Sequence, residues 1–152
     1  MVAIVNAAAE AYRGVIPPDR WREPYMPREE LDAEITAGVA FSGMEADDGA
    51  LVGVMGIQAV RDVDLIRHAY VAPTAQGHGI GGALVDHLMS TTTRRTLVGT
   101  WAAATWAVRF YERHGFALVD DVLKTRLLAT YWTIPDRQIE TSVVLERRVS
   151  PA

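Results

Sequence analysis

The stretch that decides the fold is Asp64-Leu65-Ile66-Arg67-His68-Ala69-Tyr70-Val71-Ala72-Pro73, followed by Thr74-Ala75-Gln76-Gly77-His78-Gly79-Ile80-Gly81-Gly82 and Ala83-Leu84-Val85-Asp86-His87-Leu88-Met89. Leu65 to Val71 is rich in branched and aromatic residues and reads as a buried strand. Pro73 ends it, because proline cannot donate to a ladder. Ile80, Ala83, Leu84, His87 and Leu88 then recur at helical spacing. A glycine-rich turn therefore joins a strand to the start of an amphipathic helix. The first helical N–H groups at such a junction have no internal partner, and the helix dipole adds partial positive charge. Glycines let a ligand approach the backbone closely. The physical product is a cradle for a phosphate or pyrophosphate.

Three readings of this turn are open on spacing alone. It can be a tight turn with a packing role. Gly77-His78-Gly79-Ile80-Gly81-Gly82 also satisfies the G-x-G-x-x-G spacing of dinucleotide-binding folds. That reading, a nicotinamide- or flavin-linked oxidoreductase, requires an acidic residue after the next strand. Gly99-Thr100-Trp101-Ala102-Ala103-Ala104 supplies none. No Gly-Lys-Ser/Thr follows, so a Walker-type loop is excluded.

The third reading rests on a resemblance. Gln76-x-x-Gly79-x-Gly81, after a strand ending Val71-Ala72-Pro73, resembles the Q/R-x-x-G-x-G/A signature of the GNAT N-acetyltransferase superfamily. Downstream, Ala107-Val108-Arg109-Phe110-Tyr111-Glu112-Arg113-His114-Gly115-Phe116 is similar to that family's A-x-x-F-Y-E-x-x-G-F helix end. The two motifs stand in the family's order, with one strand-like segment between them. The resemblance implies an α+β fold: a central, mostly antiparallel twisted sheet of six to seven strands flanked by about four helices. It implies acetyl-CoA as co-substrate and direct acetyl transfer to a primary amine. It implies that Gln76, Gly77, His78, Gly79, Ile80, Gly81 and Gly82 hold the pyrophosphate. The pantetheine arm would pair with the strand edge near Tyr70 and Val71, with Ala107 alongside. A non-catalytic acyl-CoA-binding module of the same fold is the alternative. The family often carries asparagine three positions before the helix alanine; here Ala104 occupies it.

The reaction poses two proton problems. A lysine-like amine of pKa ~10.4 is neutral in only roughly four molecules in ten thousand at pH 7, so a base must deprotonate it. The departing thiolate must collect a proton, which a phenol of pKa ~10 can supply. By resemblance Tyr111 is that acid. His68, on the central strand, has an imidazole suited to the base. Glu140, at the start of a last strand, and Asp64 are further candidates. Arg67 should pair with a carboxylate. The first helices and a late loop build the family's acceptor pocket, so Trp21, Tyr25, Tyr131 and Trp132 become candidate walls for an aromatic or, through cation–π contact, a charged amine.

Composition narrows the classes. A chain of 152 residues suits one domain spanning 1–152, large enough for one core. The net charge of −4 argues against broad nucleic-acid binding, which needs a basic footprint. The absence of cysteine excludes disulfides, thiolate metal sites and a cysteinyl acyl-enzyme. Four scattered histidines show no metal-ligand spacing. No apolar run approaches the ~20 residues of a membrane span. The N-terminus has neither a basic start nor a long apolar core, so no signal peptide and a cytoplasmic location are expected. The expected partners are a small-molecule or peptide amine and, by resemblance, a second copy in a homodimer.

The remaining elements follow in order. Helices are predicted over Ile4–Val15, Pro27–Ala37 and Ala103–His114, the last burying a stripe of Ala103, Trp106, Ala107 and Phe110. Strands are predicted over Val39–Glu45, Leu51–Val60, Thr96–Trp101, Phe116–Val119 and Glu140–Arg147. Asp47-Asp48-Gly49 marks a hairpin turn. Asp120–Ala129 fits either helix or strand.

Overall fold

The computed structural model describes residues 1–148. Six strands form one sheet in the order β1-β2-β3-β4-β6-β5. They are β1 (Ala40–Glu45), β2 (Leu51–Val60), β3 (Val63–Val71), β4 (Arg95–Trp101), β5 (Ala117–Leu118) and β6 (Ser142–Arg147). Every pairing is antiparallel except β3–β4. That parallel pair is bridged by helix α3 (Ile80–Thr91), as parallel neighbours require a crossover. The α-helices are α1 (Val2–Ala9), α2 (Arg28–Thr36), α3, α4 (Thr105–Arg113), α5 (Asp121–Tyr131) and α6 (Asp136–Glu140). The fold expected from the sequence is borne out, with two more helices than the four expected.

Alternation along the strands sorts the core onto the two faces of the sheet. Met55, Ile66, Val98 and Leu145 pack with Leu84, Val85 and Leu88 of α3 and with Tyr111 of α4. On the opposite face Val63, Leu65, Leu97 and Val144 pack with Leu127 and Leu128 of α5. Farther along, Val54 packs with Ile4 and Val5 of α1 and Leu31 of α2.

Three elements differ from expectation. The first helix ends at Ala9, tightens into a 3-10 turn over Glu10–Tyr12 and becomes extended at Arg13. Asp120–Ala129 resolves as α5, because the Asp120 side chain caps the helix by accepting from Leu123 N. Glu140 does not open the last strand. It ends α6, a short helix begun after Pro135, and β6 starts at Ser142.

Candidate active site

The sheet is split at its centre. β3 and β4 pair only from Val63–Arg95 to Ile66–Val98. Beyond that point β3 continues to Val71 beside β2, and β4 continues to Trp101 beside β6. A bulge accompanies the split. Val54 faces Tyr70 and Gly56 faces Arg67, so His68 and Ala69 share the single partner position of Met55. His68 sits there at φ 57, in the left-handed region. Past the bulge, Ala72 N–H donates to Val52 O. Antiparallel alternation then turns the backbone groups of Val71 away from β2, toward the open split.

The loop after β3 lies at the mouth of this split. Gly79 is the N-cap of α3 at φ 75, a conformation glycine adopts without penalty. No side chain caps the helix there. The N–H groups of Ile80, Gly81 and Gly82 precede the first intrahelical bond, which runs from Ala83 N–H to Gly79 O. A hollow of about 680 Å³ opens over this turn, lined by Val71, Gln76, Gly79, Gly81 and Arg113 among others. The Gln76 side-chain amide reaches Val71 O at 3.4 Å. His114 also borders the hollow, with its Nδ1 3.4 Å from Asp86 Oδ1. His78 lies in the loop but does not line the hollow; its Nδ1 contacts Ala75 O and Gln76 O, each at 3.1 Å.

A second cavity, about 790 Å³, runs through the split and shares Val71, Gln76, Gly81, Phe110 and Arg113 with the first. Tyr70 and Ala107 line it. So does Tyr111, which is 5% exposed and packs between Phe110 and Phe116, ring centroids 5.0 and 5.5 Å away. Burial pushes its phenol well above the ordinary value, so it stays protonated across neutral pH. Tyr70 is raised likewise, by burial first and then by the neighbouring Tyr25.

His68 also lines this cavity. Its Nε2 is buried without a hydrogen-bond partner, 3.5 Å from Glu34 Oε1. Its ring stacks on Phe41, with centroids 6.1 Å apart. Glu34 also meets Arg67 Nη2 at 3.2 Å, so Arg67 has the carboxylate partner expected for it. The imidazole and, secondarily, the guanidinium hold the Glu34 carboxyl below its ordinary value. The sequence reading missed Glu34 because nothing in helical spacing brings α2 against β3.

The other expected residues divide. Tyr25 and Trp132 line the cleft. Trp21 lies outside it, stacked on Tyr25 beneath the Arg13 guanidinium, with Nε1 donating to Glu23. Tyr131 lies outside too. It is the last residue of α5 rather than a loop residue, and its hydroxyl donates to Asp62 at 2.6 Å. Glu140 is exposed at the end of α6 and does not line the cleft. Asp64 is buried away from it, accepting from Thr92 Oγ1. Tyr12 and Trp106 were not expected there. Tyr12 enters because the first helix stops short. Trp106, read from spacing as buried, is 43% exposed and stands at the cleft. Among the described residues no cluster of three or more His, Asp or Glu could hold a metal. No described helix is long and apolar enough to cross a membrane.

A strand–glycine loop–helix at a split sheet, with a buried tyrosine on the facing helix, defines an acyltransferase-like site. The acetyltransferase (GNAT) domain model matches residues 40–118, just over half the chain, including β3, the glycine loop, α3 and α4. The chain therefore belongs to the GNAT acetyltransferase family. Solved structures agree in fold. PaiA N-acetyltransferase from Thermoplasma acidophilum, solved with coenzyme A, is 18% identical, with 97% of this chain and 89% of that one covered and a TM-score of 0.70. A GNAT family acetyltransferase from Staphylococcus aureus Mu50 is 15% identical over 98% of this chain and 90% of its own, with a TM-score of 0.71. One from Elizabethkingia anophelis, with acetyl-CoA bound, is 20% identical over 80% and 83%, with a TM-score of 0.61. No curated protein sequence matches significantly.

Proposed function

We propose that the protein is an N-acetyltransferase that moves the acetyl group of acetyl-CoA directly to a primary amine. The observation that carries this is the adjacency of two cavities: a glycine-lined hollow at a helix N-terminus shares Val71, Gln76, Gly81, Phe110 and Arg113 with the cleft of a split sheet beside Tyr111. The hollow fits a pyrophosphate. It offers the free N–H groups of the first turn of α3 and the Arg113 cation. A Cβ at Gly81 would come within 3.3 Å of the Phe110 ring, so glycine there lets the turn and the facing helix approach without displacing that ring. Coenzyme A in the Thermoplasma structure and acetyl-CoA in the Elizabethkingia structure support the same cofactor here.

Acetyl-CoA supplies the acetyl group as an activated thioester, so one amide bond forms as one thioester bond breaks. The outward-turned N–H and C=O groups of Val71 give the pantetheine arm a strand edge to pair with. Tyr111, held neutral by burial, donates its proton toward the leaving thiolate and is recharged from solvent. His68 takes the amine proton, and the Glu34 carboxylate 3.5 Å from its Nε2 favours the imidazolium that forms. The test is release of free thiol from acetyl-CoA in the presence of a mixed panel of primary amines, with acetylated product followed by mass. Stoichiometric thiol and N-acetyl product support the reading. Acetyl-CoA binding without turnover on any amine would leave only the non-catalytic module.

A further inference from the structure

The cleft region beyond Tyr111 has a one-sided lining. Tyr12, Tyr25, Trp101, Trp106 and Trp132 contribute aromatic surface. Among the described residues no aspartate or glutamate lines the cleft. Its charged or titratable cationic groups are Arg67, His68 and Arg113. Arg67 is already engaged by Gln58 Oε1 at 3.0 Å and Glu34 Oε1 at 3.2 Å. Arg113 also belongs to the hollow beside the glycine loop.

The aromatic walls are fixed in place. The Tyr12 ring lies 5.4 Å from the Trp106 ring. Trp132 lies against β4 where the strand has Gly99; a Cβ there would touch the indole at 3.4 Å. Such walls favour a flat ring through offset and edge-to-face contacts, beyond the area they bury. A second ammonium on the acceptor would meet cationic groups, and the nearest carboxylate, Glu34, is already engaged by Arg67 and His68. Among the described residues a second carboxylate would find no uncommitted cation outside the cofactor hollow. A buried charge without a partner is strongly disfavoured.

We infer that the acceptor is an arylalkyl primary amine whose uncharged ring sits among Tyr12, Trp106 and Trp132, with its nitrogen toward His68 and the split of the sheet. This rests on the acetyltransferase reading and specifies its substrate class. Polyamines and dicarboxylic amino acids are rejected.

The experiment has two arms. Calorimetric titration with acetyl-CoA first establishes that the cofactor binds. Thiol release is then measured with phenethylamine, tryptamine, hexylamine, spermidine and L-glutamate. The expected kcat/KM for the aromatic amines exceeds that for hexylamine by about tenfold or more. It exceeds that for spermidine and glutamate by about a hundredfold or more. Trp106→Ala and Trp132→Ala raise the KM for tryptamine by about tenfold and leave acetyl-CoA binding unchanged, while Trp132→Phe restores most of the loss. Thermal melting confirms that each variant is folded; exposed Trp106 gives a variant whose packing is little disturbed. Three outcomes overturn the inference while leaving the acetyltransferase reading intact: hexylamine equal to the aromatic amines, spermidine or glutamate preferred, or KM unmoved in both tryptophan variants. Acetyl-CoA binding with no turnover on either aromatic amine also overturns it. Failure of acetyl-CoA to bind instead removes the reading on which it rests.

Discussion

Tyr111→Phe separates packing from proton donation at the centre of the cleft. The ring is buried between Phe110 and Phe116, and phenylalanine retains those contacts. Only the hydroxyl is lost. Stability should change by less than about 1 kcal/mol, within the range of one hydrogen bond. For a domain of this size that is a shift of about 2–4 °C in Tm. The hydroxyl's chemical role is larger. A positioned general acid contributes about 10²–10⁴-fold, so kcat should fall by at least about a hundredfold, or roughly 2.7 kcal/mol of barrier. Acetyl-CoA binding should stay within about twofold, because the ring still lines the cleft. The assay is steady-state thiol release, checked by a single-turnover measurement so that slow product release does not hide the chemical step. An unchanged single-turnover rate in a folded variant would refute the assignment of Tyr111 as proton donor. A lost rate together with a collapsed Tm would assign the residue to packing alone.

Three further predictions concern the frame around the site. In Gly53→Ala the new methyl would stand 2.6 Å from Ile80 Cγ2 and 3.0 Å from Leu84 Cδ1, so the Ile80 side chain or the start of α3 must move; the expected cost is about 1–3 kcal/mol by denaturant melting, with weaker acetyl-CoA binding because Ile80 opens that helix. Glu34→Gln removes the carboxylate partner of Arg67 and His68, costing roughly 1 kcal/mol at pH 7. The folded Glu34 carboxyl titrates below its ordinary 4.5, so its stabilisation is present above that pH and fades below it. Wild type and variant should therefore converge in urea midpoint as the pH falls below 4.5. At the alkaline end, half-buried Tyr70 and buried Tyr111 titrate above 10 when folded, so their contribution is constant below pH 10 and stability falls as pH rises beyond it. Tyr111→Phe should soften that alkaline loss.

Much of this frame is legible in the sequence because local and global signals agree. The β3–loop–α3 unit declares itself through a branched strand, a proline, four glycines and a helical stripe, and the structure follows it closely. The Phe110–Phe116 segment is similarly explicit. Gly115 at φ 89 closes α4 and returns Phe116 onto Tyr111. The aromatic half of the cleft is less legible. Trp106 sits at helical spacing with Ala107 and Phe110, and spacing alone cannot distinguish a residue facing the core from one facing a split in the sheet. Tyr12 enters because α1 ends early, and no glycine or proline before Gly14 signals that stop. Tyr131 and Glu140 were misassigned because α5 and α6 carry broken apolar patterns. Val122 is 73% exposed in α5, and Lys124 is buried there with its Nζ donating to Ile139 O. The one signal available was Asp120, a cap residue ahead of the apolar positions. The partnership of His68 with Glu34 joins residues far apart in the chain and depends on a bulge, which leaves no mark in strand alternation.

The most direct test of the central claim is calorimetric titration of the purified protein with acetyl-CoA, with CoA and NADH as comparisons and Gly79→Val as control. The expected result is one site per chain with micromolar affinity for both CoA species, no NADH binding, and loss of CoA binding in the folded variant. Failure of both CoA species to bind, or NADH binding in their place, would contradict it and return the glycine turn to a structural or dinucleotide role.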